Sequence, residues 1–139
     1  MRVRSRLRRA TRPTTPNEPR QAASRRTFRQ ARRTARHLFL RAKGYRILAR
    51  TYVVRGGEID IIARRGSAVA FVEVKARPSI EDALIAVTPA KQRRMSIAAR
   101  HWLTSNQWAM RCTQRGDLIA VAPWRVPRHL VGAIELRLD

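Results

Sequence analysis

Two short β-branched runs near the middle of the chain restrict its fold more than any other feature. Glu58-Ile59-Asp60-Ile61-Ile62-Ala63 is followed, across a Gly-containing turn, by Val69-Ala70-Phe71-Val72-Glu73-Val74-Lys75-Ala76. A strand alternates its side chains between two faces. That alternation predicts Glu58, Asp60 and Ile62 on one face of a hairpin, and Ile59, Ile61 and Ala63 on the other. On the second strand it sets Phe71, Glu73 and Lys75 against Ala70, Val72, Val74 and Ala76. The expected hairpin has one face for a core and one bearing carboxylates and a lysine. A two-residue loop at Arg65-Gly66 pairs residues whose numbers sum to 131, and a four-residue loop gives 133. Either register leaves Asp60 and Glu73 on one face, directly or diagonally opposed at roughly 5–8 Å.

Two carboxylates at that distance repel unless something lies between them, and a hard divalent cation does this well. Mg²⁺ takes oxygen ligands, typically one or two carboxylates with waters and substrate phosphate. Such a metal polarises phosphoryl oxygens and lowers the pKa of a bound water. Lys75, two residues after Glu73, is placed to orient the attacking water or to stabilise charge on the phosphate. The choice of residue is informative. The chain has 28 Arg and 3 Lys, so a generic cation here would be Arg. Lys is a compact point charge whose pKa shifts on burial, which Arg cannot match. The plain alternative is a solvated strand face on which Glu58, Asp60, Glu73 and Lys75 form ion pairs.

At 139 residues the chain is one domain with a tail at most. Its 31 Lys and Arg against 9 Asp and Glu give a net charge of +22. The excess is uneven: residues 1–50 hold 17 basic residues and the single acid Glu18. Such a block is solvated or disordered and often contacts nucleic acid or anionic lipid. Cys112 stands alone, which excludes an internal disulfide and a cysteine zinc site, and His37, His101 and His129 show no ligand spacing. A reducing, cytoplasmic setting is expected. No apolar run approaches a membrane span or the core of a secretory signal.

Residues 1–23 read as a disordered basic tail, because the prolines in Arg12–Pro19 cannot hold a helix. A transit peptide or a start site placed too far upstream are the other readings of that tail. Residues 24–139 then form the folded domain. Phe28, Ala31, Ala35, Leu38 and Ala42 recur at helical steps from Ser24 to Lys43, and Gly44 ends that helix. Tyr45–Val54 reads as a first strand, with turns at Gly56-Gly57 and at Arg65-Gly66-Ser67. Ser79, with Asp82 three residues on, starts a short helix. Thr88-Pro89 starts a long one to about Thr104 that buries Met95, Ala98, Ala99 and Trp102. Asn106–Gly116 reads as a loop, Leu118–Ala122 as a buried strand, and Val131–Leu136 as a weak strand.

At Gly57-Glu58-Ile59-Asp60-Ile61-Ile62-Ala63 and Phe71-Val72-Glu73-Val74-Lys75-Ala76-Arg77 the sequence resembles the signature of the YraN family. These small bacterial proteins have a fold like PD-(D/E)xK nucleases and archaeal Holliday-junction resolvases. The likeness takes in Lys43–Arg50 upstream, and Ala86–Arg94 and Asp117–Val121 downstream. It implies an α/β fold with a restriction-endonuclease-like core, a mixed central sheet flanked by helices. It implies Asp60 and Glu73 as ligands of Mg²⁺ or Mn²⁺, with the Val74 carbonyl as a third. Lys75 would be the catalytic lysine, and Gln92 resembles the glutamine that accompanies such sites. Related resolvases are dimers, which makes a homodimer an expected assembly. Two positions depart from the pattern. Arg33 stands where a helix Glu is usual, and Arg115-Gly116-Asp117 stands where Arg-Phe-Asp is usual, so that an apolar anchor is lost.

Three functions compete. One is a metal-dependent endonuclease on structured DNA. The second is a non-catalytic DNA- or RNA-binding protein that keeps the nuclease fold. The third is a ribosome- or RNA-associated basic protein. With 6% aromatic residues and no run like an RNA-recognition motif, base-stacking readout is disfavoured. Membrane-surface binding would need an apolar face that the tail lacks.

Overall fold

The computed structural model describes residues 33–122 and 125–139. The predicted tail and the first turns of the predicted first helix lie outside them. Contacts divide the chain at Thr34/Ala35, and residues from Ala35 onward form one compact unit. The helix α1 runs over 33–42. It stops where Gly44 takes φ 86°, a left-handed conformation that costs glycine little. Gly44 N–H donates to Arg41 O at 2.9 Å and Tyr45 N–H to Leu40 O at 3.0 Å. This is the double bond of a Schellman cap, with Leu40 and Tyr45 meeting in one core cluster as its apolar contact.

Three antiparallel strands follow: β1 (Arg46–Val54), β2 (Gly57–Arg65) and β3 (Ala68–Ala76). Two helices, α2 (Ile80–Ile85) and α3 (Pro89–Ser105), then carry the chain over to β4 (Thr113–Val121), parallel to β3. β5 (Arg128–Ile134) returns antiparallel to β4. The sheet order is β1-β2-β3-β4-β5. The expected mixed sheet flanked by helices therefore stands. Both helix starts follow their sequence signals: Ser79 Oγ accepts from Asp82 N–H, and Thr88 Oγ1 from Lys91 N–H ahead of Pro89.

Each sheet face has a core. Phe71, Val69, Met95, Ala98, Ala99, Trp102 and Leu118 cluster under α3. Leu40, Tyr45, Ile61, Ala70, Val72 and Ile119 cluster under α1. Burial of a side chain such as Phe71, 0% exposed, contributes about 1.5–3 kcal/mol. A close approach is made at Gly57, where a Cβ would lie 2.4 Å from Arg94 O and 2.8 Å from Ala98 N. Only a residue without a side chain lets the α3 backbone rest on β2 here.

Three expectations need correction. Asn106–Gly116 is not a loop: Gln107–Arg111 form a 3₁₀ turn and β4 has begun by Thr113. Pairing with β3 from Ala68↔Thr113 onward makes a strand of the polar Thr113-Gln114-Arg115. The Gly116 position has not lost an anchor. A Cβ there would lie 2.4 Å from Ile134 O and 2.9 Å from Ile134 Cβ, so β5 itself fills the space. Finally, Ile59 does not share a face with Ile61 and Ala63. Ile59 and Ile62 pack under α3, whereas Ile61 and Ala63 pack under α1. Alternation breaks at Asp60, opposite the point on β1 where Thr51 takes φ 48°.

Candidate functional site

The β2–β3 ladder pairs Ile61–Arg65 with Ala68–Val72 on a sum of 133, turning through Gly66-Ser67. Beyond Ile61↔Val72 the recorded pairing stops. There the Asp60 carboxylate takes the place of a ladder acceptor, its Oδ2 accepting from Val74 N–H at 2.9 Å. In an antiparallel ladder a residue's N–H and C=O point to the same neighbour, so the Val74 carbonyl faces the same opening. Asp60 therefore lies in the gap between the strands, and its charge still bears on Glu73.

Glu73 is buried, 3% exposed, so the face is not solvated there, although the ion pairing of Glu73 with Lys75 that the plain alternative expected is present. Lys75 Nζ lies 3.1 Å from Glu73 Oε1. On the other side Lys91, from the first turn of α3, sits 3.1 Å from Glu73 Oε2 and 3.0 Å from Glu58 Oε1. Arg94 Nη2 adds a contact of 3.4 Å to Glu58. Although Lys91 is within ion-pair distance of Glu73 Oε2, that oxygen has no hydrogen bond of adequate geometry and is buried. The charge of Lys91 thus compensates Glu73 at ion-pair distance.

The electrostatics follow from this packing. Burial pushes the Glu73 carboxyl above the ordinary glutamate range, and the Asp60 charge adds to it, against the lowering by Lys91 and Lys75. Burial works against the charge on Lys91, but its hydrogen bond to Glu58 and the field of Glu73 prevail and raise its pKa. Lys91 therefore stays cationic while its partner Glu73 is reluctant to ionise. The hydrogen bond from Lys91 holds Glu58 below its ordinary range.

Of the residues singled out in the sequence, Asp60, Glu73, Val74 and Lys75 come together at the open end of β2 and β3. Gln92 does not join them through any recorded contact. It lines a groove of about 350 Å³ on the flank of α3, with Ser96, Arg100 and Glu135. Arg33 lies at the start of the described part of α1 and is exposed. The residue missed as a site member is Lys91. The signal was available: it is one of only 3 lysines, and the rarity that marks Lys75 marks Lys91 equally.

The donors Asp60, Glu73 and the Val74 carbonyl are all oxygens, and one buried carboxylate oxygen lacks a hydrogen bond. That chemistry fits a hard divalent cation. Against it, Lys75, Lys91 and Arg94 already pair with the two carboxylates Glu58 and Glu73. Among the described residues no group of three or more His, Cys, Asp or Glu side chains forms a metal cage. Among them, too, no helix is long and apolar enough to cross a membrane.

A second polar cluster lies on the α1 side of the sheet. Asp117, wholly buried, accepts from Arg115 Nε at 3.0 Å and from Gly132 N–H at 2.9 Å. His129 Nε2 lies 2.7 Å from its other oxygen, and Lys43 Nζ lies 2.7 Å from His129 Nδ1. A neutral imidazole protonated on Nε2 satisfies both contacts. Arg115 also donates to the Tyr45 hydroxyl. Burial opposes the Asp117 charge, but these donors outweigh it and hold the carboxyl below the ordinary aspartate range.

Fold and cluster define an α/β protein with an acid-and-lysine site at the open end of a central hairpin. The model of the uncharacterised protein family UPF0102 matches residues 35–121, and the chain belongs to that family, the YraN family. A UPF0102 protein of Methylocella silvestris is 58% identical over 99 residues, 71% of this chain and 80% of its own length. One of Methylobacterium nodulans is 52% identical over 99 residues, covering 71% and 77%. One of Rhodopseudomonas palustris is 46% identical over 123 residues, covering 88% and 93%.

Proposed function

We propose that this protein is a metal-dependent endonuclease acting on structured DNA. The observation that carries this reading is the Glu73 carboxylate: buried, raised in pKa, and held between two lysines with the charge of Asp60 bearing on it. A buried carboxylate whose pKa is shifted by desolvation beside specific charge partners marks a candidate functional site. Asp60, Glu73 and the Val74 carbonyl would hold Mg²⁺ or Mn²⁺. A divalent ion there supplies positive charge against the phosphoryl group and acidifies water. Lys75, anchored on Glu73 Oε1, orients the attacking water or offsets charge on the phosphate. Lys91 bridges Glu73 and Glu58 and presents a second ammonium to an incoming phosphate. The basic surface supplies the sequence-independent affinity.

The experiment is Mg²⁺- or Mn²⁺-dependent cleavage of linear, flapped and four-way DNA. Cleavage of the branched substrates is expected, lost in Lys75→Ala with DNA affinity little altered. Arg33→Glu, which restores the acid implied by the family resemblance, should raise turnover. No cleavage by either protein, with any substrate or metal, refutes the enzyme.

One observation favours a second reading, a non-catalytic nucleic-acid-binding protein: Glu58 and Glu73 already have counter-cations in Lys75, Lys91 and Arg94. On that reading DNA binding persists without metal and falls steeply with salt, and removing residues 1–23 flattens the salt slope.

A further inference from the structure

The flank of α3 that carries Gln92 and Arg100 borders a trough made with the C-terminal residues 135–138. Two cavities lie along it, about 350 Å³ and about 520 Å³, and Arg100 lines both. Their chemistry differs. The first is lined by Arg93, Arg100 and Arg137, with Glu135 as its one acid, a net of two positive charges. The second is lined by Leu103, Met110 and Leu138. The wall between α3 and the C-terminal residues is pinned: Arg100 Nη1 donates to Arg137 O at 2.7 Å, and Arg137 N–H donates to Ser96 Oγ at 3.1 Å. Two large apolar side chains stand uncovered along it, Ile97 at 37% and Met110 at 59% exposure. Pro89 and Gln92, which line the trough, flank Lys91 of the Glu73 cluster in sequence.

We infer that this trough binds an unpaired nucleic-acid strand, phosphates on Arg93, Arg100 and Arg137 and base faces on Met110 and Leu138. The identity of the ligand rests on the endonuclease reading above. A single strand offers both surfaces that the trough complements, a charged backbone and apolar base faces. A duplex offers phosphates but keeps its base faces stacked inside, so the apolar half would stay unused. The 17 residues of α3 span about 25 Å. That length holds on the order of four extended nucleotides, the lower end of single-strand sites.

The test is fluorescence anisotropy with the full chain in EDTA, at about 0.2 M salt to damp non-specific contacts. The probes are an oligothymidylate of about eight nucleotides and a blunt duplex of similar charge. Arg93 and Arg137 are exposed, so Arg93→Ala/Arg137→Ala should fold. This pair should weaken the single strand about tenfold, and the duplex less than about twofold. Met110→Asp should weaken the single strand alone. Arg46→Ala/Arg50→Ala, exposed on β1, is the control and should weaken both probes equally and slightly. Equal losses for groove and control pairs, or equal losses of single strand and duplex, overturn the inference. An acidic peptide that competes as well as the single strand does so too, marking the trough as a protein-docking surface. Because no cleavage is measured, a protein that never cuts DNA still reports on the trough. Failure here in turn leaves the Glu73 cluster untouched.

Discussion

Glu73 and Asp117 are both buried acids on neighbouring central strands, yet they face opposite sides of the sheet and differ in every other respect. Asp117 has Arg115, His129 and Gly132 as donors, and its pKa is depressed. Glu73 has two lysines, a like charge nearby and an oxygen without a hydrogen bond, and its pKa is raised. Burial alone therefore does not tell whether an acid serves the fold or the chemistry; the saturation of its oxygens does. Asp117 ties β4, β5 and the end of α1 together. Glu73 meets cations on both of its oxygens and is still disfavoured as a charge by its burial.

The sharpest break of this comparison is in stability. Asp117→Ala leaves Arg115 and His129 without their acceptor, and removing one partner of a buried charged pair costs about 3–5 kcal/mol. Glu73→Gln should change stability by less than about 1 kcal/mol, since it also removes a desolvated charge. Thermal melts of both variants check this, and equal losses would dissolve the distinction.

Gly57→Ala comes next. Its methyl group would run into the α3 backbone at Arg94 and Ala98, at a cost of about 1–3 kcal/mol. The displaced helix carries Lys91 away from Glu73 but leaves the Asp117 network alone. NMR shifts of the His129 ring should stay in place while those of the Lys91 neighbourhood move.

Lys91→Met should tighten Mn²⁺ binding about tenfold, roughly 1.4 kcal/mol, because the internal cation that competes for Glu73 and Glu58 is gone. Calorimetry on both proteins reads this directly. Weaker binding in the variant would mean that Lys91 shapes the site rather than occupying it.

The smallest effect is in pH dependence. Asp117, depressed in the folded state, contributes stability that is present above the ordinary aspartate pKa and is lost as pH falls through its folded value. Glu73, raised in the folded state, does the reverse: its ionisation penalty sets in as pH rises through the folded value and is relieved on acidification. The natural protein should thus gain slightly on mild acidification before it loses in stronger acid. Glu73→Gln should show only the loss, as urea midpoints across that range would reveal.

Local signals in the sequence carried much of this. Gly44, Ser79 with Asp82, and Thr88-Pro89 marked helix boundaries because each acts on backbone groups a few residues away. The alternation over Val69–Lys75 placed Phe71 under α3 and Val72 under α1. The pattern failed at Asp60, where the strand stops alternating and the side chain turns to the Val74 amide, a break that needs β1 and β3 in place. It failed at Thr113–Arg115, which are extended because β3 is beside them. The Asp117 cluster was not legible at all. Its members Lys43, Tyr45, Arg115 and His129 are up to 86 residues apart, and only the completed sheet collects them.

The single parallel pair in the sheet also orders events in time. β1, β2 and β3 are joined by tight turns, so their loop-closure cost is low, whereas β4 must wait for residues 77–112 to cross over. Local hairpins close faster than such crossovers. Asp60 and Glu73 should therefore meet early in folding, before α3 has delivered the Lys91 ammonium to Glu73. Mutations in the β2–β3 turn should then slow refolding. Those at the seam of β3 and β4 should chiefly hasten unfolding, which stopped-flow chevrons on the two sets would tell apart.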